Sequence, residues 1–337
     1  MIPAHPLALT EDRKLDERRQ RALTRYYVAA GAGGIAVGVH STEFAIHEPA
    51  VGLLEPVLTL AAEEVDAWEA GGGHPIVRVA GVVGDTRRAV AEADLARRLG
   101  FHVALVSFAG LGEKNQEALV RHVAAVGSVL PVMAFYLQPA VGGRELPFEF
   151  WRALVDVETL IAVKVAPFDR YRTGEVVRAV AQSARADEVA LYTGNDDHIV
   201  GDLLTPYPSA PNQPAVHFVG GLLGQWGVWT RRAVELHARC RRAVTSGDGN
   251  AHELLRLGTQ LTDANGAIFD RANDFAGCLP GIHEVLRRQG LLAGRWCLDA
   301  GVDLSPGQSE EIDRVRAAYP HLADDEFVRE HVDDWMK

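Results

Sequence analysis

The sequence predicts a (β/α)8 barrel with a helical C-terminal extension, and three observations predict it. From residue 34 onward, short apolar runs alternate with longer amphipathic stretches. Each strand-plus-helix unit takes roughly 25 to 30 residues, so eight units fit into about 230 residues. Beyond residue 224 the strand pattern stops and helical periodicity takes over. Continuously apolar strands belong to a parallel sheet covered by helices, because both of their faces are buried. The rival is an open doubly wound sheet, which normally carries Gly-x-Gly-x-x-Gly after its first strand. Here Gly31-Ala32-Gly33-Gly34 precedes a strand instead.

In chain order, Ile2 to Leu9 reads as a weak first strand, followed by a helix from about Asp16 to Ala30. Seven stronger strands follow: Ile35 to His40, Pro75 to Val82, His102 to Phe108, Leu130 to Leu137, Leu160 to Ala166, Glu188 to Thr193 and Ala215 to Val219. Helical patterns fill Leu53 to Glu69, Thr86 to Leu99, Lys114 to Val126 and Gly174 to Ala184, with turns at Gly71-Gly72-Gly73, Gly100 and Gly127. The last third holds helices over Arg231 to Thr245, Ala251 to Asp274 and Ile282 to Gln289, and another after Pro306. The expected division is a barrel with the active site over residues 1–230 and a helical extension over 231–337.

The composition, 47% hydrophobic and 23% charged over 337 residues, is that of a packed globular protein. A formal net charge of -11 argues against nucleic acid and anionic membrane surfaces as partners, since both require a basic field. The widely spaced Cys240, Cys278 and Cys297 suggest neither a disulfide framework nor a zinc knuckle. No stretch approaches the roughly 18 apolar residues of a membrane span, and Met1 to Pro6 lacks the features of a secretory leader. A cytoplasmic location is expected.

One residue interrupts the apolar pattern chemically. Lys164 sits inside Leu160-Ile161-Ala162-Val163-Lys164-Val165-Ala166, the sixth strand. A lysine in a dry site loses its proton more readily and becomes a nucleophilic amine able to form a Schiff base with a carbonyl. The other reading is a stem packed on apolar neighbours with its ammonium reaching water. In such barrels catalytic groups gather at the C-terminal strand ends. Tyr136, near the end of the preceding strand, is expected at a matching height, where a phenol can donate and accept protons.

Tyr136 and Lys164, 28 residues apart on strands five and six, are similar to the proton-relay tyrosine and Schiff-base lysine of the dihydrodipicolinate synthase and N-acetylneuraminate lyase superfamily. The resemblance runs over nearly the whole chain. Leu7-Ala8-Leu9-Thr10 through Leu15-Asp16 resembles the family's first strand and loop, and Ala30 to Gly38 its second strand. Thr193-Gly194-Asn195-Asp196-Asp197 resembles its loop after strand seven. The resemblance implies a (β/α)8 barrel, usually a tetramer, whose lysine condenses with pyruvate or another 2-keto acid without metal or cofactor. An aldehyde is the implied second substrate, and a homotetramer or dimer the implied assembly.

Three stretches depart from the family's pattern. In place of Gly-Thr-Thr-Gly-Glu after strand two, this chain has Gly38-Val39-His40-Ser41-Thr42-Glu43, so Ser41, Thr42 and backbone N–H groups are the expected carboxylate grip, with His40 beside them. The arginine expected five residues after the tyrosine is Val141, with Arg144 three positions further on. An aromatic residue after strand four has no match in Ser107 to Leu111. Asn195 and Phe218 are expected to complete the pocket, Phe218 pointing into the barrel mouth from strand eight with His217 toward the helices. His198 reads as part of a helix start rather than a metal ligand, and Trp226 and Trp229 as a packing stripe. The expected function is a Schiff-base lyase, aldolase or hydro-lyase; the alternative is a barrel that has lost turnover and binds a small molecule.

Overall fold

The computed structural model describes residues 1–112, 114–208, 215–247 and 249–337. Eight parallel strands lie in the order β1, β8, β7, β6, β5, β4, β3, β2. They are β1 (Ile2–Pro3), β2 (Gly34–Val37), β3 (Val77–Val82), β4 (Val103–Ser107), β5 (Val132–Leu137), β6 (Leu160–Ala166), β7 (Ala190–Thr193) and β8 (Phe218–Leu223). The two ends of the sheet meet through a parallel bridge from Ala4 to Ala36, in which the His5 N–H donates to the Ala36 carbonyl at 2.8 Å. The chain is therefore a (β/α)8 barrel.

The helices of the ring are α1 (Glu17–Ala30), α2 (Leu54–Ala70), α3 (Thr86–Arg98), α4 (Gln116–Gly127), α5 (Phe148–Val155), α6 (Arg170–Ala181), α7 (Ile199–Leu204) and α8 (Thr230–Ser246). Side-chain caps start several of them: Asp16, Asp85, Asn115 and Asp169 each accept a backbone N–H of the first turn. Helix α8 packs against both α7 and α1, so the ring of helices closes at residue 246. Four more helices form the extension: α9 (Ala251–Ile268), α10 (Cys278–Arg288), α11 (Gln308–Ala318) and α12 (Asp325–Trp335).

Strand eight lies further along the chain than the pattern suggests, at Phe218–Leu223 rather than Ala215 to Val219. Its terminus reads weakly because Gly220 and Gly221 interrupt the apolar run. Gly221 has no room for a side chain: a Cβ there would lie 2.8 Å from the Thr193 carbonyl oxygen and 2.9 Å from the Trp226 ring.

Side chains alternate between two cores. The inner one fills the barrel with residues such as Ile2, Val79, Leu105, Met133 and Leu222, and the outer one lies between strands and helices. Between β5 and β6 the alternation is offset. Val132 pairs with Leu160, but Met133 pairs with Ala162, so Ile161 is an extra residue on β6. Above that bulge Phe135 stands beside Lys164, and Tyr136 beside Val165.

One buried carboxylate is prominent among the groups that tie the extension to the barrel. Asp324 accepts from Tyr26 Oη at 2.7 Å, from the Arg231 N–H at 2.9 Å and from Gln289 Nε2 at 2.8 Å. Tyr26 Oη in turn accepts from the Thr230 N–H at 2.7 Å. Replacing Asp324 by Ala leaves several buried donors unpaired, and the expected cost is about 3 kcal/mol in urea unfolding, read at a wavelength that reports on Trp335 packing. A loss below about 0.5 kcal/mol would show that these bonds do not hold the two parts together.

Candidate active site

Lys164 projects inward from β6 because Ala162, Lys164 and Ala166 share the barrel face of the strand. It is 6% exposed, and its Nζ lies over the Phe135 ring, 4.1 Å from the centroid. Among the described residues no carboxylate lies within 4.0 Å of it. Its stem runs across Gly194, where a Cβ would fall 2.8 Å from Lys164 Cε and 3.2 Å from Cγ. Glycine at 194 is thus required by the lysine. Burial lowers the Lys164 pKa to about 8, and the nearby charge of Asp196 works in the opposite direction.

The lysine opens into a cavity at the C-terminal ends of the strands. His40 and Ser41 from the loop after β2, Gln138 and Val141 after β5, Phe168 after β6, Asp196 after β7 and Gly224 after β8 line it. The extension closes the other side with Phe269, Phe275, Cys278 and Ile282. Phe168 and Phe275 meet edge-to-face at 5.8 Å, and both have left-handed backbones, with φ of 52° and 67°. Such strain persists where the surroundings over-determine it. Asp270 does this for the Phe275 loop, its carboxylate accepting from Asn273 Nδ2 at 2.7 Å, from the Gly277 N–H at 2.9 Å and from Ser305 Oγ.

Asp196 is the buried carboxylate of this cavity. Its Oδ1 accepts the Gln225 N–H at 3.0 Å, while its backbone carbonyl accepts Asn265 Nδ2 of α9 at 2.6 Å. Burial raises its pKa to about 7, against the opposing pull of the Gln225 N–H and of Lys164. His40, beside Phe44, is neutral at pH 7, because burial and then the Lys164 charge lower its pKa to about 4. The Cys278 thiol is held protonated by burial.

The structure brings Lys164, His40 and Ser41 together and sends four other expected residues elsewhere. Tyr136 faces the outer core, its ring 4.9 Å from that of Trp151 and its hydroxyl at the Leu146 backbone, 3.4 Å from the N–H and 3.5 Å from the carbonyl oxygen. The Ile161 bulge is the reason: a spacing of 28 holds for Val132 and Leu160 at the strand base and is lost above it. Thr42 is buried below the loop, donating to the His5 carbonyl at 2.6 Å and accepting the Gly38 and Val39 N–H groups. Asn195 joins two loops, accepting the Phe168 N–H at 3.0 Å and donating to Asp202 at 2.9 Å. Phe218 lies at the opposite end of the barrel, because β8 starts there, and packs on Tyr207 in the outer core.

Arg144 is also turned away from the cavity, with its guanidinium donating to the Gly112 carbonyl at 2.9 Å and the Lys114 carbonyl at 3.3 Å. Among the residues that sequence reading missed are Phe135, Gln138, Phe168, Asp196 and the four from the extension. Asp196 was within reach, one position beyond Asn195 in the same loop. The extension residues carry no local signal, since apolar side chains at helix ends read as core.

Fold and site together define a (β/α)8 barrel with a buried amine at its catalytic end. Residues 1–205 match the model of the dihydrodipicolinate synthetase family, and the chain belongs to that family. Lyases are among its members. No curated protein matches the sequence. Among solved structures, the chain is similar to dihydrodipicolinate synthase from Oceanobacillus iheyensis, at 17% identity and a TM-score of 0.74 over 95% of this chain and 96% of that one. It is also similar to N-acetylneuraminate lyase from Fusobacterium nucleatum, at 15% identity and a TM-score of 0.72 over 95% and 98%. A prophage protein of the dihydrodipicolinic acid synthase family from E. coli K12, solved with pyruvate, has 18% identity and a TM-score of 0.75 over 95% and 97%. At these identities the structures bear on the fold. No helix among the described residues is long and apolar enough to cross a membrane.

The environment of Lys164 makes a measurable statement about its amine. The groups that face it are Asp196, His40 and Cys278, of which only Asp196 carries charge near neutrality. Its acylation rate should rise with pH through a midpoint near 8 rather than 10.5, as the ammonium gives way to the free amine. Asp196→Asn removes a charge that favours the ammonium, so the midpoint should move lower still. Competitive labelling read by peptide mass spectrometry checks both. A midpoint above about 10 would contradict a desolvated amine.

Proposed function

We propose that the protein is a Schiff-base lyase or aldolase acting on pyruvate or another 2-keto acid, with Lys164 as the nucleophile. The carrying observation is the amine itself: buried, inward-facing, unpaired with any carboxylate among the described residues, and open to a cavity at the end of β6. Family membership supports the same reading.

The chemistry follows from the neutral amine. Lys164 Nζ attacks the C2 carbonyl to give a carbinolamine, which expels water to leave an iminium. The iminium withdraws electrons from C3, so loss of a C3 proton, or cleavage of the bond from C3 to a carbinol carbon, places the electron pair in an enamine. Carbon–carbon bond formation is the reverse of that cleavage. In this reading the keto-acid carboxylate is bound by Ser41 and His40, which line the cavity with Lys164, the hydroxyl and a ring N–H serving as donors. Among the described residues no arginine lines this cavity, so carboxylate binding in this reading rests on neutral donors.

Incubation with pyruvate and with larger 2-keto acids, followed by borohydride, should leave a reduced adduct on the peptide containing Lys164. Lys164→Ala should abolish trapping. Tyr136→Phe should leave trapping within about threefold of the parent protein, because it removes only long hydrogen bonds to the Leu146 backbone in the outer core. Absence of an adduct with every keto acid tried would overturn the reading and favour a barrel that binds without turnover.

A further inference from the structure

We propose that Asp196 is the proton-transfer group of this active site, working on the substrate carbons and oxygen attached to Lys164 in the place that a phenol on β5 was expected to take. The inference rests on the Schiff-base reading above and deepens it.

The chemistry requires such a group. Dehydration of a carbinolamine needs a proton on the departing hydroxyl, and enamine formation needs a base at C3. The lysine cannot supply these once its nitrogen is committed to the substrate. Tyr136 is separated from the cavity by its own strand, since its side chain leaves the opposite face of β5. Phe135, which stands in its place beside the lysine, carries no exchangeable proton. Tyr192 is level with Lys164 on β7, yet its ring lies toward the base of the barrel, near the Met1 amino group and Gly220, and it does not line the cavity.

Asp196 meets each geometric requirement. It lines the same cavity as Lys164 without forming an ion pair with it, so both groups border the volume a keto acid on Lys164 would occupy. Its Oδ1 is anchored by the Gln225 N–H, and Oδ2 accepts no hydrogen bond among the described residues. The backbone at 196 is held from both sides, by Asn265 on α9 and by a hydrogen bond from its own N–H to the Gly194 carbonyl at 3.1 Å. A carboxyl in this dry setting exchanges protons near neutral pH, since burial brings its pKa to about 7.

In the step proposed, the C3–H bond breaks and the proton goes to Asp196 Oδ2. The released pair forms the C2–C3 double bond, and the iminium π electrons return to nitrogen as a lone pair, giving a neutral enamine and a carboxylic acid. In the other direction the acid returns its proton to C3. The same acid protonates the carbinolamine hydroxyl, which leaves as water. His40 and Cys278 share the cavity, but burial makes the first a weak base and the second a weak acid, so neither is matched to proton exchange near neutral pH as Asp196 is.

The test is hydrogen–deuterium exchange at the pyruvate methyl group, followed by proton NMR in heavy water, beside borohydride trapping of the same variants. Asp196→Asn should still be trapped with pyruvate at Lys164 and should lose about 100-fold or more in exchange rate. Tyr136→Phe and Tyr192→Phe should exchange within about threefold of the parent protein. Asp196→Ala should recover part of the exchange on addition of formate, an outcome that a structural role would not produce. The proposal is overturned if Asp196→Asn exchanges at the parent rate, or if Tyr136→Phe loses exchange as deeply. If the parent protein neither traps a keto acid nor exchanges, the underlying Schiff-base reading has failed, and this proposal fails with it.

Discussion

The lysine stem laid across Gly194 is the contact on which the mouth of this barrel depends. Because the stem occupies the space a side chain at 194 would need, the β7 loop must approach with bare backbone. That approach carries Asn195 outward to Asp202 and Asp196 inward to the cavity. Asp202, itself fully buried, then gathers Thr193 Oγ1, Asn195, Tyr207 and the more exposed Arg170 into one network under the loop. A buried network of this kind is stable only when its members are satisfied together. The position of Asp196 therefore follows from packing several residues away as well as from its own bonds.

The extension contributes to the site as well as to stability. Phe269, Phe275, Cys278 and Ile282 exclude water from one side of the cavity, and desolvation is the leading cause of the shifts at both Lys164 and Asp196. A barrel without this cover would leave the amine wet and protonated. The left-handed backbones of Phe168 and Phe275 concentrate strain where loop and extension meet, and the Asp270 hydrogen bonds offset it. Asp324 supports the same arrangement from further away by joining α1, α8 and the C-terminal helices.

Legibility in the sequence differed from residue to residue for identifiable reasons. Lys164 stood out because a charge in a continuous apolar run is chemically conspicuous, and seven of the strands lay within a few residues of their predicted places. Tyr136 misled because spacing along the chain was taken for spacing across the sheet. One extra residue at Ile161 separates the two, and in a β-structure a slip of one residue exchanges the faces. In the loop after β7 it is Asp196 that lines the cavity, while Asn195 is turned to Asp202. Phe218 was placed at the mouth because Gly220 and Gly221 hid the true end of β8. Thr42 looked like a ligand hydroxyl but is consumed by three local backbone groups.

By itself the sequence determined the alternation of apolar strands with amphipathic helices, hence the barrel, and it marked the lysine buried within it. Those are local properties: hydrophobic periodicity sets the element, and the cost of desolvation makes a lone lysine conspicuous. Only the tertiary structure decided which groups face that amine. Facing depends on register between strands, on a bulge that no residue type announces, and on side chains brought from 100 residues away in the extension. The physical reason is that a side chain's direction is a property of the paired sheet, whereas its chemistry is a property of the residue alone.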